Sequence, residues 1–139
     1  MDKILFSSQS NEWSTPQKFY DELNKEFNFD LDPCATIDNA KCDLYFTEKE
    51  NGLTQDWEGF TVFCNPPYGR VLREWVQKCY EESLKPNTRV VMLIPARTDT
   101  KYFHKYIYHM AKEIRFLKGR LKFGECTNSA PFPSMVVVF

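Results

Sequence analysis

Asn65-Pro66-Pro67-Tyr68, followed by Gly69, is the segment best equipped for chemistry in this chain. The amide of Asn65 offers a fixed acceptor oxygen. The carbonyl of Pro66 offers a second, held in a turn that proline stiffens. Together they suit a flat ring bearing an exocyclic amine. Such an amine is a weak nucleophile, because its lone pair is delocalised into the ring. Hydrogen bonds from its two protons to two fixed acceptors favour the tetrahedral, nucleophilic form. Tyr68 is placed to stack on the ring and hold it in register. An electrophilic carbon, such as the methyl of a sulfonium donor, must then lie in line behind the nitrogen at roughly 3–3.5 Å. No acid with a shifted pKa is required, since the proton leaves after transfer. The chemistry implied is methylation of a ring-bound amine.

A pocket of this kind needs strands to present it. Thr61-Val62-Phe63-Cys64 is an apolar run that leads directly into Asn65. Gly69 relaxes the entry into a following helix. That helix is marked by Val71, Leu72, Trp75, Val76, Cys79 and Tyr80 and ends near Lys85-Pro86-Asn87. Arg89 to Ile94 is nearly all apolar after its first residue, as strands buried on both faces are. Upstream, Ser14-Thr15-Pro16 reads as a hydroxyl cap and first-turn proline, with Phe19, Tyr20, Leu23 and Phe27 at helical spacing. Phe29 to Asp32 is a short strand stopped by Pro33. Residues 35–58 resist assignment, apart from a short strand at Leu44-Tyr45-Phe46 and a turn at Asn51-Gly52.

Downstream, a helix is predicted from about Thr100 to Met110 and a strand over Ile114–Leu117. Lys118-Gly119-Arg120 turns the chain, and Leu121-Lys122-Phe123 is a candidate return strand. Ser134 to Phe139 is a final strand tied into the sheet. The order predicts an α/β fold of three layers. In open parallel sheets ligands bind beyond the carboxyl ends of the strands. Three strands end in chemically distinctive loops: Asp32-Pro33-Cys34-Ala35, Asn65-Pro66-Pro67-Tyr68 and Pro95-Ala96-Arg97-Thr98-Asp99. Their convergence on one edge is the expectation on which a site rests.

The chain of 139 residues has a length suited to one domain, and 42% hydrophobic content supplies a core. A net charge of -1 argues against a general coating of positive charge, although not against a local basic cleft. Residues 1–12 read as a polar, mobile lead-in with no secretory signal, and no apolar run has membrane-spanning length. Five irregularly spaced cysteines, Cys34, Cys42, Cys64, Cys79 and Cys126, read as thiols of a reducing cytoplasm. With no close cysteine pair, and with His104 and His109 distant in sequence, no metal site is expected.

Other candidates surround the tetrapeptide. Asp32 is suited to accept from a donor's amino group or ribose, or to cap a turn. Asp56, before Trp57, is a candidate for the donor's adenine edge or a solvent-facing acid. Thr15 is a helix cap first and a donor contact second. Arg97, Lys101, Arg115, Lys118, Arg120 and Lys122 make the later chain basic, as a phosphate-facing surface would be. The Lys118-Gly119-Arg120 tip is the best placed of these to reach along a groove.

These residues resemble the phage-type DNA N-6-adenine-methyltransferases, small amino-methyltransferases of phages and prophages. The resemblance runs through Glu12-Trp13 with Thr15-Pro16, Leu31-Asp32-Pro33-Cys34-Ala35, Asn39-Ala40-Lys41-Cys42 and Gly52-Leu53 with Asp56-Trp57. It continues through Asn65-Pro66-Pro67-Tyr68-Gly69, Pro95–Thr100, Gly119–Phe123 and Ala130–Met135. It implies S-adenosylmethionine as methyl donor and adenine in DNA as acceptor. The implied sheet is Rossmann-like, mostly parallel, with an antiparallel C-terminal hairpin strand, in a single domain over 1–139. Asn65, Pro66 and Tyr68 are implied as the amine pocket. Thr15, Asp32, Pro33, Cys34, Asp56 and Asn65 fall to the donor side, and Arg97, Lys118, Arg120 and Lys122 to DNA. The implied setting is the cytoplasm of a bacterial host, with DNA and a second copy of the chain as partners and no membrane.

Two departures stand out. The Asp32-Pro33-Cys34-Ala35-Thr36 loop lacks the glycines usual in methyltransferase donor loops. The chain also has no room for a separate recognition domain, so specificity falls to residues 35–58, the basic turn or a second subunit. Two other readings stay open. The same tetrapeptide suits amines on protein glutamine or an RNA base, and a non-catalytic nucleic-acid-binding module would keep the basic turn.

Overall fold

A computed structural model of the protein describes residues 13–123 and 129–139. The lead-in over 1–12, part of the loop expected over 124–133, and Cys126 lie outside the described residues.

The architecture is α/β, with helix α1 (Gln17–Phe27), strand β1 (Thr61–Cys64), helix α2 (Leu72–Ser83), and strands β2 (Arg89–Pro95), β3 (Glu113–Phe116) and β4 (Ser134–Val138). α1 turns Tyr20 and Leu23 into the core. It ends where Asn28 takes a left-handed conformation and returns its N–H to the Asn24 carbonyl at 2.9 Å. Its start differs from the expected hydroxyl cap. Pro16 occupies the cap position and no side chain caps the helix, because the Thr15 hydroxyl is engaged elsewhere.

The four strands run in the order β1-β2-β4-β3. β1 and β2 are parallel, whereas β4 is antiparallel to both β2 and β3. The sheet is therefore mixed: of its pairings only β1–β2 is parallel, and the C-terminal strand is antiparallel as expected. The cause is long-range: the last strand enters between β2 and β3, so two of the three pairings reverse direction. Phe29 to Asp32 appears as bridges rather than a full strand, Leu31 pairing with Val62 and Asp32 with Tyr45, both parallel. Leu121–Phe123 does not return as a strand. Its Phe123 is buried instead against Trp13, Tyr68 and Phe132.

Val90 to Ile94 are fully buried, so both faces of β2 are covered, as its unbroken apolar pattern demands. α2 supplies Leu72, Trp75, Val76 and Cys79 to the core, while Tyr20 of α1 meets Phe63 edge-on at 5.1 Å. The helix expected over 100–110 shrinks to a π-helical turn, Phe103–Ile107, in which the Tyr108 N–H reaches back five residues to the Phe103 carbonyl. Among the described residues, no helix is long and apolar enough to cross a membrane.

Behind the Asp32 loop stands Trp57, fully buried, with its indole N–H on the Gly52 carbonyl at 3.0 Å and its backbone N–H on Glu82 at 2.7 Å. Burial opposes ionisation of Glu82. Hydrogen bonds from Lys85, the Trp57 N–H and Lys78 outweigh it and hold the carboxyl below its usual range.

Candidate active site

The tetrapeptide leaves β1 as a strand exit between two concavities. A cavity of about 880 Å³ is lined by Asp32, Pro33, Cys34, Asn65, Pro66 and Pro67, among others. Another, of about 470 Å³, is lined by Tyr68, Gly69, Pro95, Arg97, Thr100, Tyr102 and Phe132. Trp13 lines both. Successive residues of one rigid segment thus face two different spaces. Gly69, at φ 99°, takes the left-handed turn that swings the chain from the exit toward α2.

Asn65 is held on both sides. Its Nδ2 donates to the Trp13 carbonyl and, at 2.9 Å, to Thr15 Oγ1. Its Oδ1 accepts from the Tyr68 hydroxyl at 2.7 Å. That hydroxyl also lies 3.2 Å from the Leu93 carbonyl of β2. Tyr68 is 5% exposed, with its ring edge-on to Phe132 at 5.6 Å and to Phe123 at 6.3 Å. The ring is packed into an aromatic cluster while Tyr68 lines the smaller cavity, and the phenol holds Asn65. Burial drives the phenol pKa well above its ordinary value, so it stays a proton donor to that oxygen.

Asp32 is buried at the floor of the larger cavity. Its Oδ1 accepts from the Cys34 N–H at 3.3 Å and its Oδ2 from the Lys41 N–H at 3.0 Å. The carboxylate ties together the two ends of the loop that walls the cavity, which is the capping role open to it in the sequence. Burial raises its pKa, against the two backbone hydrogen bonds that lower it. Pro33 is buried and Cys34 half-buried in the same wall.

Glycine holds this wall in place despite its absence from the loop itself. A Cβ on Gly52 would stand 2.1 Å from the Pro33 carbonyl oxygen and 3.1 Å from the Trp75 ring. The sequence marks Gly52 only as a turn residue; its close approach to Pro33 carries no local signal.

Asp56 takes the solvent-facing role its sequence also allowed. It is exposed, paired with Lys85 at 2.8 Å, and absent from the lining of both cavities. Trp57 turns inward behind it, which leaves the preceding side chain facing solvent. Of the basic candidates, Arg97 lies at the smaller cavity. Lys118, Arg120 and Lys122 are exposed and line neither cavity, Arg120 reaching the Ala130 carbonyl at 3.3 Å. Arg115 is drawn off the basic surface by Glu26 and Glu113. Of the residues that sequence reasoning missed, Trp13 matters most. Its contribution is a backbone carbonyl and a position between cavities, neither of which a residue type reveals.

Comparison with known proteins bears on the same residues. The family model described as DNA N-6-adenine-methyltransferase (Dam) matches residues 4–138. The DNA N-6-adenine-methyltransferase of Haemophilus phage HP1 (strain HP1c1) is 35% identical over 140 residues, covering 95% of this chain and 80% of its own. That of Escherichia phage T1 is 32% identical over 93 residues, 66% of this chain and 38% of its own. A solved structure from Thermoplasma acidophilum, provisionally described as a methyltransferase, matches with a TM-score of 0.47 at 11% identity over 91% of this chain and 64% of that one. The class is that of enzymes that methylate an amine. Within it, the chain belongs to the DNA N-6-adenine-methyltransferase (Dam) family.

Proposed function

We propose that this chain transfers a methyl group from S-adenosylmethionine to N6 of adenine in DNA, with transfer at the junction of its two cavities. The observation that carries the reading is the Asn65–Tyr68 segment, whose first three residues line the larger cavity and whose last lines the smaller. S-adenosylmethionine fits the larger cavity, whose volume lies in the range of small-molecule sites. Its wall offers Asp32, Pro33 and Cys34 alongside Asn65. Bound there, the donor supplies the electrophilic methyl carbon. The base fits the smaller cavity, beside Tyr68, Phe132 and Arg97.

The chain's own residues act on the amine. A carbonyl oxygen has two acceptor sites. Asn65 Oδ1 uses one for Tyr68 and keeps one for an amine proton. The Pro66 carbonyl takes the other amine proton, and the nitrogen lone pair is drawn out of the ring toward the donor. The fold in this reading is a Rossmann-like, three-layer methyltransferase domain, with specificity carried by the chain itself or by a second copy.

The test is incorporation of labelled methyl from S-adenosylmethionine, followed by digestion of the DNA to nucleosides. Label in N6-methyladenine is expected; label only in RNA or protein would reject the reading. For the DNA surface, a Lys118→Ala/Arg120→Ala double variant is expected to bind DNA more weakly. The slope of log affinity against log salt should fall by about 2, one unit per phosphate contact removed. An unchanged slope would remove this turn from the interface.

A further inference from the structure

We propose that the Trp13 carbonyl sets the polarity of the Asn65 amide and that Thr15 Oγ1 holds the amide in place, which makes Thr15 a positioning residue for methyl transfer rather than a contact of the donor. The inference rests on the reading of Asn65 as acceptor for the target amine.

An asparagine amide is nearly symmetric in outline. A half-turn about its last bond exchanges oxygen and nitrogen with little change in shape. Only one of the two states is useful, because the amine has protons to give and needs an oxygen. The surroundings of Asn65 select that state. Its Nδ2 meets two acceptors, the Trp13 carbonyl and Thr15 Oγ1 at 2.9 Å. Turned over, Oδ1 would face the Trp13 carbonyl oxygen, and neither atom has a proton to share.

Tyr68 alone does not make the selection. Its hydroxyl is 2.7 Å from Oδ1 but also 3.2 Å from the Leu93 carbonyl. With a rotated amide it would donate to Leu93 and accept from Nδ2, fully satisfied. The decision therefore falls to the Trp13 carbonyl, which has no proton to give, and Thr15 Oγ1 then holds Nδ2 as its second acceptor. Thr15 is 6% exposed and does not cap α1, although its place before Pro16 suggests a cap. Pro16 takes the cap position itself, and the Thr15 hydroxyl accepts from Asn65 instead. The Trp13 carbonyl explains why an amide suits position 65. A carboxylate there would press a charged oxygen against it with no proton between.

Thr15→Val keeps the shape of the side chain and removes the acceptor. Its kcat on adenine-containing DNA is expected to fall about five- to tenfold, the effect of one lost hydrogen bond, with donor Kd unchanged. Thr15→Ser is expected to recover most of that loss. A readout independent of turnover is hydrogen exchange of the Asn65 side-chain NH₂ by NMR, expected to quicken about tenfold in Thr15→Val. A rise in donor Kd with kcat kept would make Thr15 a donor contact and overturn the proposal. So would equal losses in the Ser and Val variants, which mark a packing role, or unchanged exchange of the Asn65 amide. A wild-type protein that leaves DNA unmethylated, yet loses protection of this amide in Thr15→Val, would reject the proposed substrate and support the positioning role.

Discussion

Asn65→Ala is expected to lower kcat on DNA by a factor on the order of 10²–10³, the size of effect seen when one preorganised polar group is removed from a reacting centre. The amine would keep the Pro66 carbonyl and lose its other acceptor. The lone pair would then stay partly in the ring, so the deficit should fall on the chemical step. Binding should change little, because the cavity wall at Asp32, Pro33 and Cys34 is untouched. The fold should also survive. Asn65 is half-buried, and the Tyr68 hydroxyl it leaves behind still has the Leu93 carbonyl. A cost of about 1–2 kcal/mol is reasonable for the hydrogen bonds removed. Single-turnover kinetics with labelled donor, beside thermal unfolding, separate the two effects. A folded variant that transfers methyl at the wild-type rate would place the chemistry elsewhere.

Gly52→Ala is expected to be the most damaging single methyl group in the chain. The added carbon would sit 2.1 Å from the Pro33 carbonyl oxygen, a distance no relaxation of a side chain can relieve, because the obstacle is backbone. Trp75 closes the other side at 3.1 Å, and the Gly52 carbonyl is pinned by the Trp57 indole. The Pro33 segment must move, and with it the Asp32 hydrogen bonds to Cys34 and Lys41. A loss of about 3 kcal/mol is expected, at the upper end of overpacking costs, together with weaker donor binding. Calorimetric unfolding and titration with S-adenosylmethionine measure both. A variant that keeps both values would mean that this wall is not rigid.

The strands β1 and β2 and the helix α2 were legible in the sequence because their burial is local in origin. Val62 to Cys64 and Val90 to Ile94 are apolar without interruption, and Leu72, Trp75, Val76 and Cys79 recur at helical spacing. The insertion of β4 between β2 and β3 was not legible, because nothing within Ser134–Val138 specifies which neighbours it enters between. The helix expected to reach Met110 had the right apolar spacing, but the chain widens into a π turn and His109 takes a positive φ of 66°. At the site, residue type singled out Asn65 and Pro66, which line the larger cavity, and Tyr68 and Arg97, which line the smaller. Asp56 faces solvent, the second of the two roles its sequence allowed, because its neighbour Trp57 takes the inward direction. The hydrogen bond from the Tyr68 hydroxyl to Asn65 had no signal in the sequence. Thr15 was read from its own chemistry, whereas its partner lies fifty positions away in sequence.

The position of β4 has a consequence for how the protein comes into being. It lies between β2 and β3, yet it is synthesised after both. Until residues 134–138 leave the ribosome, the nascent chain carries two strands whose facing edges have no mate, and such edges invite pairing with other chains. Closure of the sheet then waits on a strand translated after both of its neighbours. Leu93, whose carbonyl steadies the Tyr68 hydroxyl, pairs across that newly filled gap with Val136. The strand that carries the Tyr68 anchor is thus fully paired only once β4 has filled the gap beside it.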